Sequence, residues 1–242
     1  MMLFKKKDNN TILKMFRSVT KEEAFGFDNK LLVDKILTIL DNNFKNEPSN
    51  YYITGSYPNE GWKTKSGFLK AVEKKQFKNI CHLIVATDSY YFSFENWLIN
   101  YSTPKEKDYQ AIEFSIKEKY CDYIKMENIY KDLNTVFFPH YAIVFKLPIN
   151  FSPSTESKIK NGFFSYSIAE NSKDTIWRQH IDKVDTAILK GIYPINFINN
   201  AVLKSNYFQQ NIVSKNIGTI TQSDNELNEW KLNFDEIKTA EE

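Results

Sequence analysis

The sequence predicts an α+β protein with a mixed, largely antiparallel sheet packed by several amphipathic helices. Two observations predict this class. Apolar and aromatic runs of strand length lie in the middle of the chain, at 80–87, 111–116 and 135–148. Segments with apolar residues at helical spacing lie on either side of them, at 28–44 and 171–190. We expect the strand segments to share one sheet and the first helix to pack on it.

The N-terminal part contains two helix-start signals. Thr20 and Glu23 have the spacing of a capping box. Asp28 is suited to cap the helix that follows it. The apolar stripe of that helix is formed by Leu32, Val33, Ile36, Leu37, Ile39 and Leu40. A strand over residues 50–58 and a helix after Ser66 are expected next.

The middle of the chain is rich in strand signals. The run "ICHLIVAT" is almost continuously apolar, as in a strand buried on both faces, and the aromatic run "SYYFSFENW" predicts an adjacent strand. Alternation in "AIEFSI" predicts that Ile112, Phe114 and Ile116 point to one side. The strongest strand signal is "TVFFPHYAIVFKLP", in which Pro139 requires an edge position or a bulge.

The composition changes after this strand. Residues 151–162 are rich in Ser, Pro, Thr and Asn, which is typical of a loop or linker. We therefore divide the chain into an N-terminal α/β region with the central sheet, 1–150, and a C-terminal α+β region, 163–242. The two are expected to pack together as one compact unit.

The segment "ILKGIYPINFINN" joins two elements of the C-terminal region. The helix predicted over 171–190 should end at Gly191 in the left-handed conformation. Pro194 should keep the residue before it extended, and Asn199 or Asn200 should cap the next helix. Because its unusual residues have roles in chain geometry, we interpret this segment as a structural joint rather than a ligand-binding loop.

The composition excludes several classes. Hydrophobic residues make up 42% of the 242, which is enough for a packed core. The net charge of +2 is not typical of a nucleic-acid binder. Cys81 and Cys121 fit reduced thiols better than a disulfide framework. With no signal-peptide pattern and no apolar run of membrane-spanning length, we expect a cytoplasmic protein.

The sequence offers little catalytic chemistry. It has no phosphate-binding glycine loop, no zinc spacing and no nucleophile elbow, so no catalytic, cofactor-binding or metal-ligating residue is predicted. Three histidines lie far apart and are interpreted as structural: His82, His140 and His180. Asp88 follows a buried strand, where α/β enzymes often place a functional carboxylate, and Glu95 and Glu113 could approach it in space. A strand-end cap is the favoured role for Asp88.

Charge is distributed unevenly along the chain. Residues 61–80 hold six lysines and one acid, and residues 222–242 have a net charge of −5. The lysines are Lys63, Lys65, Lys70, Lys74, Lys75 and Lys78. Basic groups near Trp62 and Phe68 are compatible with RNA binding, but a solvated helix face is the favoured interpretation. The acidic end is either a solubilising tail or a surface for a basic partner.

The last third contains a recurring pattern: "WRQHIDKVDTAILKGIYPINFINNAVL", then "GTI", then "NEWKLNFDEIKTA". It resembles small soluble bacterial proteins in which an amphipathic helix enters a Gly-x-Tyr-Pro-x-Asn turn, followed by two short strands and a closing helix. Such proteins resemble the immunity proteins of bacterial toxin systems. The likeness covers about residues 177–240 and depends on Tyr193, Pro194, Asn196, Gly218, Thr219 and Trp230.

The resemblance implies a cytosolic immunity-type binding protein that neutralises a cognate bacterial toxin by direct protein–protein contact. Abundant Tyr and Trp agree with an interface of this kind. The sequence points to no reaction, so enzyme activity stays open but is not the favoured interpretation. We expect no cofactor, nucleic-acid partner or membrane partner, and the sequence specifies no oligomeric state. Two alternatives stay open: a nucleic-acid-binding accessory protein that uses the Lys-rich segment 63–78, and an enzyme with Asp88 in its site.

Overall fold

A ten-stranded antiparallel sheet organises the described part of the chain. The computed structural model describes residues 8–45, 47–55, 60–75, 80–96, 107–161, 166–222 and 227–241. The strands of the large sheet are β1 Asn9–Thr20, β2 Asn50–Gly55, β3 Glu60–Trp62, β4 Ile80–Ala86, β5 Tyr90–Asn96, β6 Lys107–Lys117, β7 Tyr141–Pro148, β11 Ile195–Ile198, β12 Thr219–Gln222 and β13 Asn228–Lys231. Their order across the sheet is β12-β13-β11-β7-β1-β6-β5-β4-β2-β3. A small sheet of β8 Phe151–Ser152, β9 Ser157–Asn161 and β10 Tyr166–Ile168 lies beside it.

Helices pack against the sheet, so the protein is α+β as predicted. They are α1 Lys21–Gly26, α2 Asn29–Asn43, α3 Lys65–Lys75, α4 Tyr123–Phe137, α5 Ser172–His180, α6 Asn200–Leu203, α7 Asn206–Phe208 and α8 Phe234–Glu241. A 3-10 turn, Ile181–Lys183, follows α5, and a π-helical turn, Gln209–Val213, follows α7. No helix in the described ranges is long and apolar enough to cross a membrane.

The first face of the sheet carries the larger apolar core, to which α2, α3 and α4 contribute. The predicted alternation in β6 is confirmed, since Ile112, Phe114 and Ile116 are fully buried on this face. Burial of such side chains stabilises the fold by roughly 1.5–3 kcal/mol each relative to exposure. The predicted sharing of one sheet is confirmed for the strands at 80–96, 107–117 and 141–148.

The second face has a separate core, and the C-terminal part of the chain supplies most of its cover. Trp177 of α5 packs its ring edge-on against Phe16 of β1, with 5.3 Å between centroids. Trp230 of β13 is fully buried and donates its indole N–H to the Ile217 carbonyl. This cover reaches over β1 and β7, where Ile12 and Ile143 have no exposed surface.

The central strand β1 was not predicted. Asn9–Thr20 pairs with β6 on one side and with β7 on the other, so it lies in the middle of the sheet. The charged residues Lys14 and Arg17 interrupt its apolar pattern. The helix α4, Tyr123–Phe137, was not predicted either.

The prediction of a continuous strand over 135–148 is wrong in its first half. α4 continues to Phe137, and Phe138 then adopts the left-handed conformation with φ 48°. Pro139 lies in the turn between α4 and β7, not within a strand, and the strand starts at Tyr141. A proline cannot continue the helix, so the chain turns here and enters β7.

The prediction of one helix over 171–190 is also wrong. α5 ends at His180 and continues as a 3-10 turn. The tighter turn lets Ile181 and Val184, three residues apart, both reach the second core. Gly191 therefore does not end a helix, and Gly218 is the glycine with positive φ among the described residues.

Other local predictions are confirmed. Thr20 and Glu23 form the capping box of α1. The Asp28 side chain accepts the Leu31 N–H at the start of α2. Asn199 caps α6, because its side-chain oxygen accepts the Val202 N–H at 2.9 Å. Each such cap stabilises a helix start by about 1 kcal/mol.

The segment 151–162, expected as a loop or linker, contains β8 and β9 joined by a turn over residues 153–156. Strands from 1–150 and from 163–242 lie in the same large sheet, where β11 pairs with β7. The division of the chain into two regions stays a prediction.

Candidate interaction site

A cavity of about 430 Å³ lies on the second face of the sheet, beside the part that the C-terminal elements cover. We call it the sheet cavity. Its floor is formed by β1, β5 and β6, and its wall by α5 and the β8–β9 turn. The side chains that give it chemical character are Lys14, Tyr91, Glu95, Glu113, Trp177 and Arg178.

Strand register places the polar floor of the sheet cavity. Lys14 is the direct cross-strand partner of Glu113, and Glu113 is that of Ser93. Glu95 lies two residues beyond Ser93 and therefore points to the same face, diagonally from Glu113. The sheet thus holds two carboxyl groups and one ammonium group on adjacent strands.

Five charged side chains form a network at the wall, which we call the ion cluster: Lys14, Glu156, Asp174, Arg178 and Lys190. One Glu156 oxygen accepts hydrogen bonds from both ammonium groups, at 3.1 Å from Lys14 and 2.5 Å from Lys190. Asp174 lies 3.0 Å from Lys190 and 2.7 Å from Arg178. Every charge of the ion cluster therefore has an opposite charge within bonding distance.

The ion cluster joins parts of the chain that are distant in sequence. Lys14 and Arg178 both donate to the Ser154 carbonyl, at 3.2 and 3.1 Å. Tyr193 donates its hydroxyl to the second Glu156 oxygen at 2.8 Å. Since β1, the β8–β9 turn, α5 and the segment before β11 all contribute, the ion cluster fixes the cavity wall to the floor.

Burial and neighbouring charges shift the pKa values of the ion cluster. Burial alone would raise the pKa of Glu156, but Lys14 and Lys190 outweigh it and hold that pKa below its ordinary value. Asp174 is likewise held low by Lys190 and Arg178, against the effect of burial. Lys190, between two carboxylates, has a raised pKa, although burial acts to lower it.

The pKa of Lys14 behaves differently. Burial and the neighbouring Lys190 lower it to about 8, while Glu156 acts to raise it. Lys14 is only 3% exposed. It shares the single oxygen of Glu156 with Lys190, so it receives less compensation than Lys190 does. Lys14 is the least stabilised cation of the ion cluster.

Glu113 is a carboxyl group of the sheet cavity that lies outside the ion cluster. Within the described part of the chain, it has electrostatic neighbours but no hydrogen bond or ion pair. Burial and the nearby Glu95 raise its pKa, although Lys14 acts to lower it. Glu113 is half-buried, and a carboxyl group that loses part of its hydration without gaining a hydrogen bond costs folding free energy.

Glu95 and the aromatic side chains complete the cavity. His82 of β4 lies 3.3 Å from a Glu95 oxygen. Tyr91 and Trp177 line the cavity, and burial raises the pKa of Tyr91 to about 12. Among the described residues, the indole N–H of the buried Trp177 side chain has no hydrogen-bond partner. The cavity therefore combines aromatic rings with carboxyl groups.

The structure brings together two of the three carboxylates considered from the sequence. Glu95 and Glu113 line the sheet cavity. Asp88 is exposed in the turn between β4 and β5, outside the residues that line it. His140 accepts the Ser18 N–H, and His180 is exposed at the end of α5, so neither lies with His82.

The Lys-rich segment 63–78 lies mainly on α3, which packs on the first face of the sheet. Lys63 donates to Asn50, and Lys65 pairs with Asp41 at 2.6 Å. Lys70 and Lys74 are exposed. The Lys75 side chain and Lys78 lie outside the described residues, as does part of the acidic end.

Thiol and metal chemistry find no support in the described ranges. Cys81 and Cys121 are buried, and burial raises both thiol pKa values, that of Cys121 to about 12. No group of three or more His, Cys, Asp or Glu residues in these ranges is arranged to hold a metal ion.

The residues that carry the immunity-protein resemblance have structural roles. Asn196 is fully buried and bonds both the N–H and the carbonyl of Tyr193, which shapes the turn before β11. Gly218 has φ +76° and packs under the Trp230 ring. Tyr193 alone among these three reaches the ion cluster, through Glu156.

Sequence reasoning missed the ion cluster and its connection to the floor. One local signal is the spacing of Asp174 and Arg178, four residues apart on α5. The remaining partners are far apart in sequence, such as Lys14 and Glu156, whose positions differ by 142. A lysine between the apolar residues of a strand was the other available sign.

Comparisons with known proteins give little further information. No family model matches the chain, and no curated protein matches it significantly. Among solved structures, it is similar to the Pseudomonas aeruginosa T6SS protein PA0821, with a TM-score of 0.46 and 8% sequence identity. The match covers 92% of this chain and 66% of that one, so the chain spans about two thirds of its length.

Proposed function

We propose that the protein is a cytoplasmic immunity-type binding protein that neutralises one cognate bacterial toxin by direct contact. The observation that carries the proposal is the sheet cavity, a concave surface whose charged groups are held in place before any partner arrives. Surfaces that are already ordered lose less entropy on binding, which favours tight association.

The chemistry of the sheet cavity supports recognition of a protein. Aromatic rings supply large contact areas, and Tyr and Trp are enriched among the residues that dominate binding energy. Tyr91 and Trp177 line the cavity, so their rings could supply this contact area. Glu95 and Arg178 add charges of both signs, which specify orientation and exclude wrong partners.

The rigidity of the surface also supports the proposal. The floor is a strand surface in the middle of the large sheet, and the wall is joined to it by the ion cluster. A toxin stays blocked for as long as the complex lasts, and that time is set by the dissociation rate. A contact surface that keeps one arrangement favours slow dissociation.

The test is a growth experiment. The gene next to the one for this chain would be expressed in the cytoplasm of a test bacterium, alone and together with this protein. We expect the neighbouring product to stop growth and this protein to restore it. Growth arrest that persists despite soluble expression of this protein would contradict the proposal.

Two variants connect the experiment to the surface. Glu95→Lys reverses a charge at the sheet cavity, and we expect it to lose protection. Glu73→Lys makes the same change on α3, where the side chain is exposed on the other side of the sheet, and we expect it to protect fully. Equal protection by both variants would place the contact elsewhere.

A further inference from the structure

We propose that the sheet cavity is a covalent binding site for a small aldehyde, in which the Lys14 amine forms an imine and Glu113 transfers the protons. This activity goes beyond the proposed function and does not depend on a toxin. Three features of the cavity support it: the hydrogen bonds of the amine, the second ammonium group beside it, and the carboxyl group on the neighbouring strand.

The Lys14 amine is held in place where its side chain lines the cavity. Its Nζ donates to the Ser154 carbonyl and to Glu156, at 3.2 and 3.1 Å. Within the described residues these are its two hydrogen-bond acceptors, whereas an ammonium has three hydrogens to donate. A neutral amine donates two hydrogens and keeps a lone pair. The two acceptors therefore satisfy the neutral form, and its lone pair is the nucleophile.

A second ammonium group favours this neutral form. One Glu156 oxygen lies 3.1 Å from Lys14 Nζ and 2.5 Å from Lys190 Nζ, so the two nitrogen atoms are close to each other. Burial and Lys190 lower the pKa of Lys14 to about 8, and about a tenth of the amine is then neutral at pH 7. A buried lysine beside another cation is an activated nucleophile.

Glu113 supplies the acid that the reaction needs. It is the direct cross-strand partner of Lys14, which places their Cβ atoms about 5 Å apart. Glu113 has no hydrogen bond or ion pair within the described residues, and burial raises its pKa. Its carboxyl group therefore holds a proton more readily than an ordinary glutamic acid does. An amine that loses its proton easily and a carboxyl group that gains one easily form an acid–base pair.

The charges of the cavity wall favour an uncharged reactant. The wall holds two cations and two carboxylates in contact with each other: Lys190, Arg178, Glu156 and Asp174. Lys14 and Glu113 add one charge of each sign when both are ionised and none when both are neutral. Either state leaves the balance of the wall unchanged. An aldehyde, which carries no charge, preserves it as well.

The reaction is balanced without another reactant. The Nζ lone pair attacks the carbonyl carbon while Glu113 donates a proton to the carbonyl oxygen. The Glu113 carboxylate then takes a proton from the nitrogen and passes it to the new hydroxyl group, which leaves as water. Both amine hydrogens depart with the carbonyl oxygen, a carbon–nitrogen double bond replaces the carbon–oxygen double bond, and nothing is oxidised or reduced.

The walls of the cavity favour an aromatic aldehyde. Tyr91 and Trp177 line the cavity together with Lys14 and Glu113, and aromatic rings attract one another in stacked or edge-to-face arrangements. A volume of about 430 Å³ is sufficient for a single-ring aldehyde. Benzaldehyde is therefore the probe.

The test traps the imine in the wild-type protein. Benzaldehyde is added with excess sodium cyanoborohydride, which reduces the imine to a stable secondary amine, and peptide mapping by mass spectrometry gives the rate at Lys14. Nα-acetyl-L-lysine amide in the same solution is the reference. At pH 7 we expect Lys14 to react at least about tenfold faster than the reference, whose pKa is about 10.4. A rate at Lys14 no higher than that of the reference would overturn the proposal.

The pH dependence gives a second readout. The rate at Lys14 should level off above about pH 8, because its pKa is about 8, while the rate of the reference continues to rise. Parallel pH profiles for Lys14 and the reference would also overturn the proposal. This series needs no variant of the protein.

Matched variants test the proton transfer. Glu113→Gln keeps the shape of the side chain but removes the acid, so it should lower the plateau rate at Lys14 at least about tenfold. Plateau rates are compared because Glu113 also acts on the pKa of Lys14. Glu73→Gln, at an exposed residue on α3, should leave the rate unchanged. An unchanged plateau in folded Glu113→Gln would overturn the role of Glu113, and the wild-type pH series decides the proposal if that variant does not fold.

Discussion

Lys14 and Glu113 are direct cross-strand partners in the middle of the sheet, yet the Lys14 ammonium binds Glu156 instead, 142 residues further along the chain. Because Lys14 pairs with Glu156, the cavity contains both paired charged groups and a carboxyl group outside those pairs. The ion cluster is fully paired and contributes to structure. Glu113 lies beside it and has no hydrogen bond or ion pair within the described residues.

The unpaired carboxyl group predicts that Glu113→Gln stabilises the isolated protein at about pH 8, by on the order of 1 kcal/mol. The folded pKa of Glu113 is raised above the ordinary 4.5, so this group costs stability above that pH. The unfolded chain releases the proton first, and the cost grows as pH rises through the folded pKa. Thermal melts at about pH 8 and below the ordinary pKa measure the difference, which should disappear in acid. A variant that melts lower at about pH 8 would mean that Glu113 has a structural partner.

The ion cluster predicts a large loss of stability for Lys190→Met. This change removes the cation shared by Glu156 and Asp174 and leaves two poorly compensated carboxylates. Breaking a buried pair in this way costs on the order of 3 kcal/mol. Lys173→Met is the control, because that side chain is 84% exposed and should change stability by less than about 0.5 kcal/mol. Denaturant unfolding of the two variants checks the prediction, and similar midpoints would show that the ion cluster contributes little.

Acid should weaken the protein through the same carboxylates. The pKa values of Glu156 and Asp174 lie below their ordinary values, 4.5 and 3.8. Their pairing therefore stabilises the fold above those values, and this contribution is lost as pH falls through the folded pKa values. Melting temperatures measured across this acidic range should fall less for the double variant Glu156→Gln with Asp174→Asn than for wild type. The double variant is already less stable than wild type at neutral pH. An identical pH profile for the double variant would contradict the assignment.

Gly218 predicts a backbone effect. Its φ of +76° disfavours other residues, and an added Cβ would lie 2.5 Å from the Lys231 carbonyl and 2.6 Å from Trp230 Nε1. Gly218→Ala should therefore cost roughly 2 kcal/mol or more, because the strain of the left-handed region adds to the clash. Gly26→Ala is the control, since nothing lies within 4 Å of its added Cβ and helix propensity improves. Chemical unfolding of both proteins should give changes of opposite sign.

The parts of the fold that were predicted correctly depend on short-range patterns. The capping box at Thr20 and Glu23 and the alternation through Ile112 and Phe114 need only a few neighbouring residues. Pro139 was misplaced because apolar and aromatic residues continue from α4 through the turn into β7. Periodicity does not separate such a helix end from a strand start.

The candidate site was less accessible to prediction, because it is formed by long-range contacts. Lys14 is buried in β1 only because Glu156 and the Ser154 carbonyl reach it from the β8–β9 turn. Glu95 and Glu113 were considered as neighbours of Asp88, but the register of β5 and β6 places them together and leaves Asp88 in the exposed turn. Gly191 was expected to end a helix, but the helix ends at His180 instead.

The most direct measurement is calorimetric titration of the growth-arresting partner into wild-type protein, Glu95→Lys and Glu73→Lys. The account predicts that the Glu95 variant binds at least tenfold more weakly than wild type and that the Glu73 variant binds normally. An unchanged Kd for Glu95→Lys would contradict the claim that the sheet cavity binds the toxin.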